Sequence, residues 1–170
     1  MKTMMAAIAM MILPAATVAQ VTDRDGWNGA KWGMTLEQVK AAITCPLERD
    51  TYFLKAGTPR YMLRTAEPFK VLDIPVRANF SFSSDDKLVS IMIRVESAFL
   101  ESPHSQSELF DRFKQALTEK YGKPRFTDDR GRIVFWSLLS TSIRLQWLAE
   151  FGGGSFMAAT YNKADKKSTL

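Results

Sequence analysis

The residues of this chain that could do chemistry are few. Histidine occurs once, as His104, and cysteine once, as Cys45. A His–Cys nucleophile would need the two to meet in space. His104 falls in an expected surface loop, between Pro103 and a helix cap, whereas Cys45 follows an apolar helix face carrying Val39 and Ile43. That setting suits a buried, inert thiol. Ser-His-Asp chemistry would draw on the same histidine, and the chain has no Gly-x-Ser-x-Gly elbow. Zinc needs about four N or S ligands, which one histidine and one cysteine do not supply. The sequence therefore nominates no catalytic residue, no metal ligand and no cofactor.

Carboxylates are more numerous. Asp85-Asp86 and Asp128-Asp129 lie in turn-like sequence, where Asp stabilises the backbone through local hydrogen bonds. Neither pair has the alternating ligands and distal Glu of a calcium loop. Two carboxylates distant in sequence and close in space would make a small hydrolase of envelope polymers. That is one alternative to a non-catalytic reading; a carrier of an apolar ligand held between sheet and helices is another. Gly152-Gly153-Gly154-Ser155 lacks the Lys-Ser/Thr of a phosphate loop and joins two strand-like stretches. It reads as a hairpin loop with Phe151 and Phe156 beside it. Trp27, ahead of the first element, is the tryptophan expected to be most exposed. Trp27, Phe151, Gly153 and Phe156 are the candidate contacts for a partner, since aromatics at a rim can anchor one. Trp32, Trp136 and Trp147 read as core. Asn79-Phe80-Ser81 is a glycosylation sequon in a strand, silent in a bacterial protein.

These side chains are carried by a pattern of helices and strands. Thr35-Leu36-Glu37-Gln38 is a capping box, and it opens a helix from Leu36 to about Thr44 with Leu36, Val39, Ala42 and Ile43 on one face. Met34 can staple back onto that helix. Between Leu47 and Leu72 the pattern is poor, with strand-like stretches at Thr51–Leu54 and Arg60–Thr65. Val76, Ala78, Phe80 and Phe82 then alternate with Arg77, Asn79 and Ser81, the mark of a half-buried strand. After the turn at Ser83–Lys87, Val89, Ile91, Ile93 and Val95 repeat that period opposite Ser90 and Arg94, completing a hairpin. Ser105-Gln106-Ser107-Glu108 reads as a second capping box. Its helix has Leu109, Phe110, Phe113, Ala116, Leu117 and Tyr121 on one stripe and closes on Gly122. Strands are expected at Ile133–Leu138, Ser142–Phe151 and Phe156–Tyr161, followed by a basic, disordered tail.

Single helices separating runs of strands argue for an α+β fold. The expected architecture is a largely antiparallel sheet with two helices on one face, and helix-plus-meander order in each half. Residues 1–19 are expected to be a signal peptide: Lys2, an apolar run from Met4 to Leu13, Pro14, then small residues with Thr17 and Ala19 suited to the cleavage pockets. One domain then covers residues 20–162, and residues 163–170 form the tail. The working protein is expected to be periplasmic or secreted. Without a cysteine at the cleavage point it is not lipid-anchored, and no later segment could span a bilayer. The formal charge of +5 falls to +4 once Lys2 is removed, leaving 22 basic and 18 acidic residues. With the charges interspersed, no nucleic-acid stripe emerges. A mildly basic surface suits an acidic partner protein, anionic lipid or polysaccharide.

The stretch Trp32-Gly33-Met34-Thr35-Leu36-Glu37-Gln38-Val39 resembles a pattern of small exported bacterial domains, in which Trp-Gly-Met precedes a capped helix. Phe80 to Ile93 resembles the strand, Asp-Lys-Leu turn and strand that follow in such proteins. Tyr121-Gly122-Lys123-Pro124, Trp136 and Ile143 to Leu145 are similar to their second half. The layout resembles that of the β-lactamase inhibitory protein-like domains and of the small outer-membrane assembly lipoprotein (SmpA/OmlA-like). This chain departs from the lipoprotein in lacking a lipid-attachment cysteine and in having strands where the lipoprotein has a second helix. The resemblance implies a non-enzymatic module that binds another envelope or secreted protein through its sheet or loops.

Overall fold

The computed structural model describes residues 25–49, 62–96, 103–149 and 155–164. The expected signal peptide, the Thr51–Leu54 strand, Phe151 and Gly153, and the tail from residue 165 lie outside the described residues. The N-terminal hairpin pairs β1 (Gly26–Trp27) with β2 (Ala30–Lys31). Its turn is Asn28-Gly29, with φ of 48° and 92°, the left-handed pair that Asn-Gly supplies in two-residue hairpins.

Helix α1 (Leu36–Ala42) starts where the capping box places it: Gln38 N–H donates to Thr35 Oγ1, and Thr35 N–H donates to Gln38 Oε1. It ends two residues earlier than expected, because Ile43 is extended. Before it, Gly33 N–H donates to Leu88 O and Leu88 N–H to Met34 O, so the approach to the helix is fastened to the sheet.

One nine-stranded antiparallel sheet holds the remaining strands. The first half contributes β3 (Leu47–Arg49), β4 (Met62–Thr65), β5 (Phe69–Val71), β6 (Ile74–Phe82) and β7 (Leu88–Val95). After helix α2 (Pro103–Tyr121), the second half contributes β8 (Phe126–Thr127), β9 (Ile133–Ser137), β10 (Thr141–Ala149) and β11 (Ser155–Lys163). The spatial order is β3-β4-β6-β7-β11-β10-β9-β8, with β5 paired to β6 beside β4. Each half thus runs from an outer strand inward, and the two meanders meet where β7 pairs with β11. The α+β fold and helix-plus-meander order expected from the sequence are what the structure has.

Four local expectations are corrected. Helix α2 begins at Pro103, not at a Ser105 cap. Proline is pre-shaped for the first helical position and its missing N–H costs nothing there, so Gln106 to Glu108 belong to the helix interior. His104 consequently sits in the first turn rather than in a loop. Second, β11 does not end at Tyr161. Asn162 and Lys163 pair with Ser142 and Thr141 of β10, and Ala164 N–H donates to Ser140 O. Third, Leu88 rather than Val89 faces the core. The register of β6 and β7 slips at Ser81/Phe82, which sets Phe82 opposite Leu88 and leaves Val89 as the additional residue. Such a bulge reverses which residues face inward beyond it. Fourth, Cys45 is partly rather than fully buried, packed against the rim of the core.

The core lies on one face of the sheet. Val76, Ala78 and Phe80 of β6, Ile91 and Ile93 of β7, Ala159 and Tyr161 of β11, Ile143 and Leu145 of β10, and Val134 and Trp136 of β9 all point into it. Helix α2 buries Leu109, Phe110, Phe113, Leu117 and Tyr121 against this face, with Tyr121 edge-on to Tyr161. Val39 and Ile43 of α1 join the same cluster. Two tryptophans pin loops to this layer: Trp32 Nε1–H donates to Thr141 Oγ1 at 2.9 Å, and Trp136 Nε1–H to Gly122 O at 2.9 Å. Trp147 is half-buried, between the ring of Phe110 and the guanidinium of Arg132.

Candidate functional site: the uncovered face of the sheet

Strand alternation sends every second side chain to the opposite face. Among the described residues both helices and the β1–β2 hairpin lie on the core side, and none packs on this other one. The pairing register lays its side chains out in rows. One row runs Arg64 (β4), Asn79 (β6), Met92 (β7), Thr160 (β11), Arg144 (β10), Phe135 (β9) and Phe126 (β8). A second runs Arg77, Arg94, Ala158, Gln146 and Ile133. A third, on the far side of the first, runs Met62, Ser81, Ser90, Asn162, Ser142 and Ser137. With strands about 4.8 Å apart, the first row spans about 29 Å. Ser142 to Leu148 along β10 adds about 20 Å, giving a face of roughly 600 Å² against the roughly 800 Å² that one partner contributes to a standard interface.

The composition of this face is distinctive. In the eight strands of the continuous path its basic side chains are all arginine: Arg64, Arg77, Arg94 and Arg144. Two are neutralised. Arg64 Nε lies 2.6 Å from Glu48 Oε1, and Arg77 Nε lies 2.9 Å from Glu96 Oε1. Arg77 also donates to the carbonyls of Thr65 and Ala66, which ties β6 to the end of β4. The other two form no ion pair among the described residues. Arg94 lies over the ring of Phe156 at 5.3 Å, and Arg144 is exposed on β10. Apolar surface accompanies them. Phe126 is 56% exposed and Leu148 43% exposed, and Met92, Phe135 and Phe156 are half-buried. Arginine, methionine and aromatic residues are the types enriched in protein interfaces, where lysine is depleted.

The residues nominated from the sequence are distributed as follows. Phe156 belongs to this face, under Arg94. Trp27 lies on the core side and is half-buried, its ring 5.7 Å from that of Phe69 and 6.3 Å from that of Phe80. It packs at the junction of hairpin and sheet and, like Trp147, is half-buried, whereas Trp32 and Trp136 are buried. It also lines an open cleft of about 300 Å³ shared with Phe69, Val71, Lys70, Lys120 and Tyr121. The structure therefore does not bring Trp27 and Phe156 together. Asn79 of the sequon is only 5% exposed, held in a central strand.

The carboxylates singled out earlier are at work in turns. Asp128 Oδ1 accepts Ile133 N–H at 2.7 Å, and Asp86 takes a left-handed φ of 56° in the β6–β7 turn. Among the described residues no three His, Cys, Asp or Glu side chains converge, and no helix is long and apolar enough to cross a membrane. Sequence reasoning missed Phe126, Phe135 and the four arginines as a group. Its available signal was parity, because Arg77, Arg94 and Arg144 all occupy the polar positions of alternating strands. Comparison of the chain with protein-family models, with curated proteins and with solved structures finds no match.

Proposed function

We propose that the protein is a soluble periplasmic interaction or inhibitory module of the cell envelope, without catalysis, and that it binds another envelope or secreted protein through the uncovered face of its sheet. The observation that carries this reading is the composition of that face. Among the described residues, a broad surface that no helix covers combines two arginines without an ion-pair partner with exposed Phe126 and Leu148. Large exposed apolar groups beside arginine are what a partner's contact residues need, since interface energy concentrates in desolvated aromatic and arginine anchors. Export through residues 1–19 would deliver the chain to such partners. The resemblance to β-lactamase inhibitory protein-like domains points the same way.

The test is affinity capture from envelope extract with the tagged chain starting at Gln20, run beside a Thr160→Trp variant. Thr160 is half-buried in the middle of the face, so a bulky ring there obstructs docking while the core stays untouched. The wild type is expected to retain a defined protein that Thr160→Trp retains at least about tenfold less, with equal urea midpoints for both. Equal retention by the two would remove the sheet face as the contact surface. Recovery of no protein, alongside measurable hydrolysis of an envelope polymer, would replace the module with an enzyme.

A further inference from the structure

Resting on that reading of the sheet face, we propose that the partner presents an acidic, extended segment, with two carboxylates spaced to engage Arg94 and Arg144 from opposite sides of β11. The register fixes the arrangement. Arg94 pairs with Ala158 and Arg144 with Thr160, so the two arginines flank β11 on a diagonal, one residue pair apart. Two strand spacings of about 4.8 Å and a step of about 7 Å along the strand separate their Cα atoms by about 12 Å. Between them on β11 lie Ala158, which is buried at 1% exposure, and the half-buried Thr160. An extended segment places residues i and i+4 on one side about 13 Å apart, with residue i+2 between them. Glutamates at i and i+4 would thus reach the two guanidiniums while residue i+2 passes over Thr160.

Charge complementarity selects acid over other chemistry. Along the eight strands of the continuous path, four arginines oppose Glu48 and Glu96, which already hold Arg64 and Arg77. Lys70 of β5, opposite Pro75, adds a further positive charge at the edge of the face. In the middle of the face the residual positive charge therefore sits at Arg94 and Arg144. Guanidinium is the group that binds carboxylate in a forked, bidentate geometry. The stacking of Arg94 on Phe156 at 5.3 Å holds one fork in place before the partner arrives, which reduces the ordering cost of binding. A flat anionic membrane would meet the same charges without needing their spacing, so spacing separates the two ligands experimentally.

The experiment is fluorescence anisotropy with the full chain and a fluorescein-labelled peptide containing Glu-Val-Thr-Val-Glu. Controls are the peptide with both Glu replaced by Lys, a peptide with the two Glu adjacent, and vesicles of phosphatidylglycerol. Binding is expected for the spaced acidic peptide, weaker by about fivefold or more for the adjacent one, and absent for the Lys version. Arg144→Gln and Arg94→Gln should each raise Kd about five- to tenfold, and Arg144→Glu should abolish binding while leaving the urea midpoint unchanged. Equal Kd for wild type and Arg144→Glu would overturn the proposal, as would equal affinity for the spaced and adjacent peptides, or binding to vesicles alone. Its failure is distinguishable from failure of the sheet-face reading. If Thr160→Trp lowers partner capture while Arg94→Gln and Arg144→Gln do not, the face stands and the acidic partner falls.

Discussion

At the scale of single residues, the indole hydrogen bonds of the two loop-pinning tryptophans, above all the buried one of Trp32, carry the clearest energetic consequences. Trp32 Nε1–H has Thr141 Oγ1 as its acceptor, 109 residues away, and Thr141 is 1% exposed. Replacing Thr141 by Val strands a buried donor and should cost about 1–3 kcal/mol in urea unfolding. In a double-mutant cycle with Trp32→Phe, part of that cost should vanish, with a coupling of about 1 kcal/mol; additive losses would mean the bond contributes nothing. Glycines allow a second contrast. A Cβ at Gly26, where φ is 129°, would sit 1.9 Å from the Ala30 carbonyl oxygen, whereas one at Gly131, where φ is 65°, would meet nothing within 4 Å. Gly26→Ala should cost about 3 kcal/mol or more, and Gly131→Ala only about 1 kcal/mol of left-handed strain. Trp32 and Trp136 were legible as core from their neighbours. The packing of Trp27 is not legible locally, because it depends on Phe69 and Phe80, which the chain brings to it from far away.

At the scale of elements, legibility followed how local the determinants are. The Thr35–Gln38 box, the α2 stripe and the β6–β7 alternation were readable because each is set by residues within a turn or two. Thr35→Ala should cost about 1 kcal/mol, measurable as a shifted urea midpoint. The short strands β1, β2, β3, β5 and β8 were missed or misplaced, since two or three residues carry too little periodicity. The Asn28-Gly29 turn was the one strong signal for the first pair, and it marked a hairpin. The end of β11 was misread because Asn162 and Lys163 are polar, yet a strand continues as long as a neighbour supplies pairing. Asn162 lies opposite Ser142 on one side and Ser90 on the other. Asn162→Pro should therefore cost about 3 kcal/mol or more through lost ladder bonds, and a change under about 0.5 kcal/mol would return it to a tail.

At the scale of the whole molecule, two inward-running meanders join at β7 and β11, and everything that covers the sheet among the described residues covers one side of it. The α+β class and the order of elements could be read along the chain. The strand order and the row from Arg64 to Phe126 could not, because they depend on pairings across as much as 72 residues of sequence, from Ser90 to Asn162, that no local pattern encodes. Arginines that look scattered among acidic residues become neighbours only through register. The central claim is that this face meets the partner, and hydroxyl-radical footprinting of the captured complex tests it most directly. Met92, Phe126, Phe135, Leu148 and Phe156 should lose oxidation on binding, while Trp27, Phe69 and the outer face of α2 keep theirs. Protection at Trp27 and Phe69, with Met92 and Phe126 oxidised as in the free protein, would contradict the account.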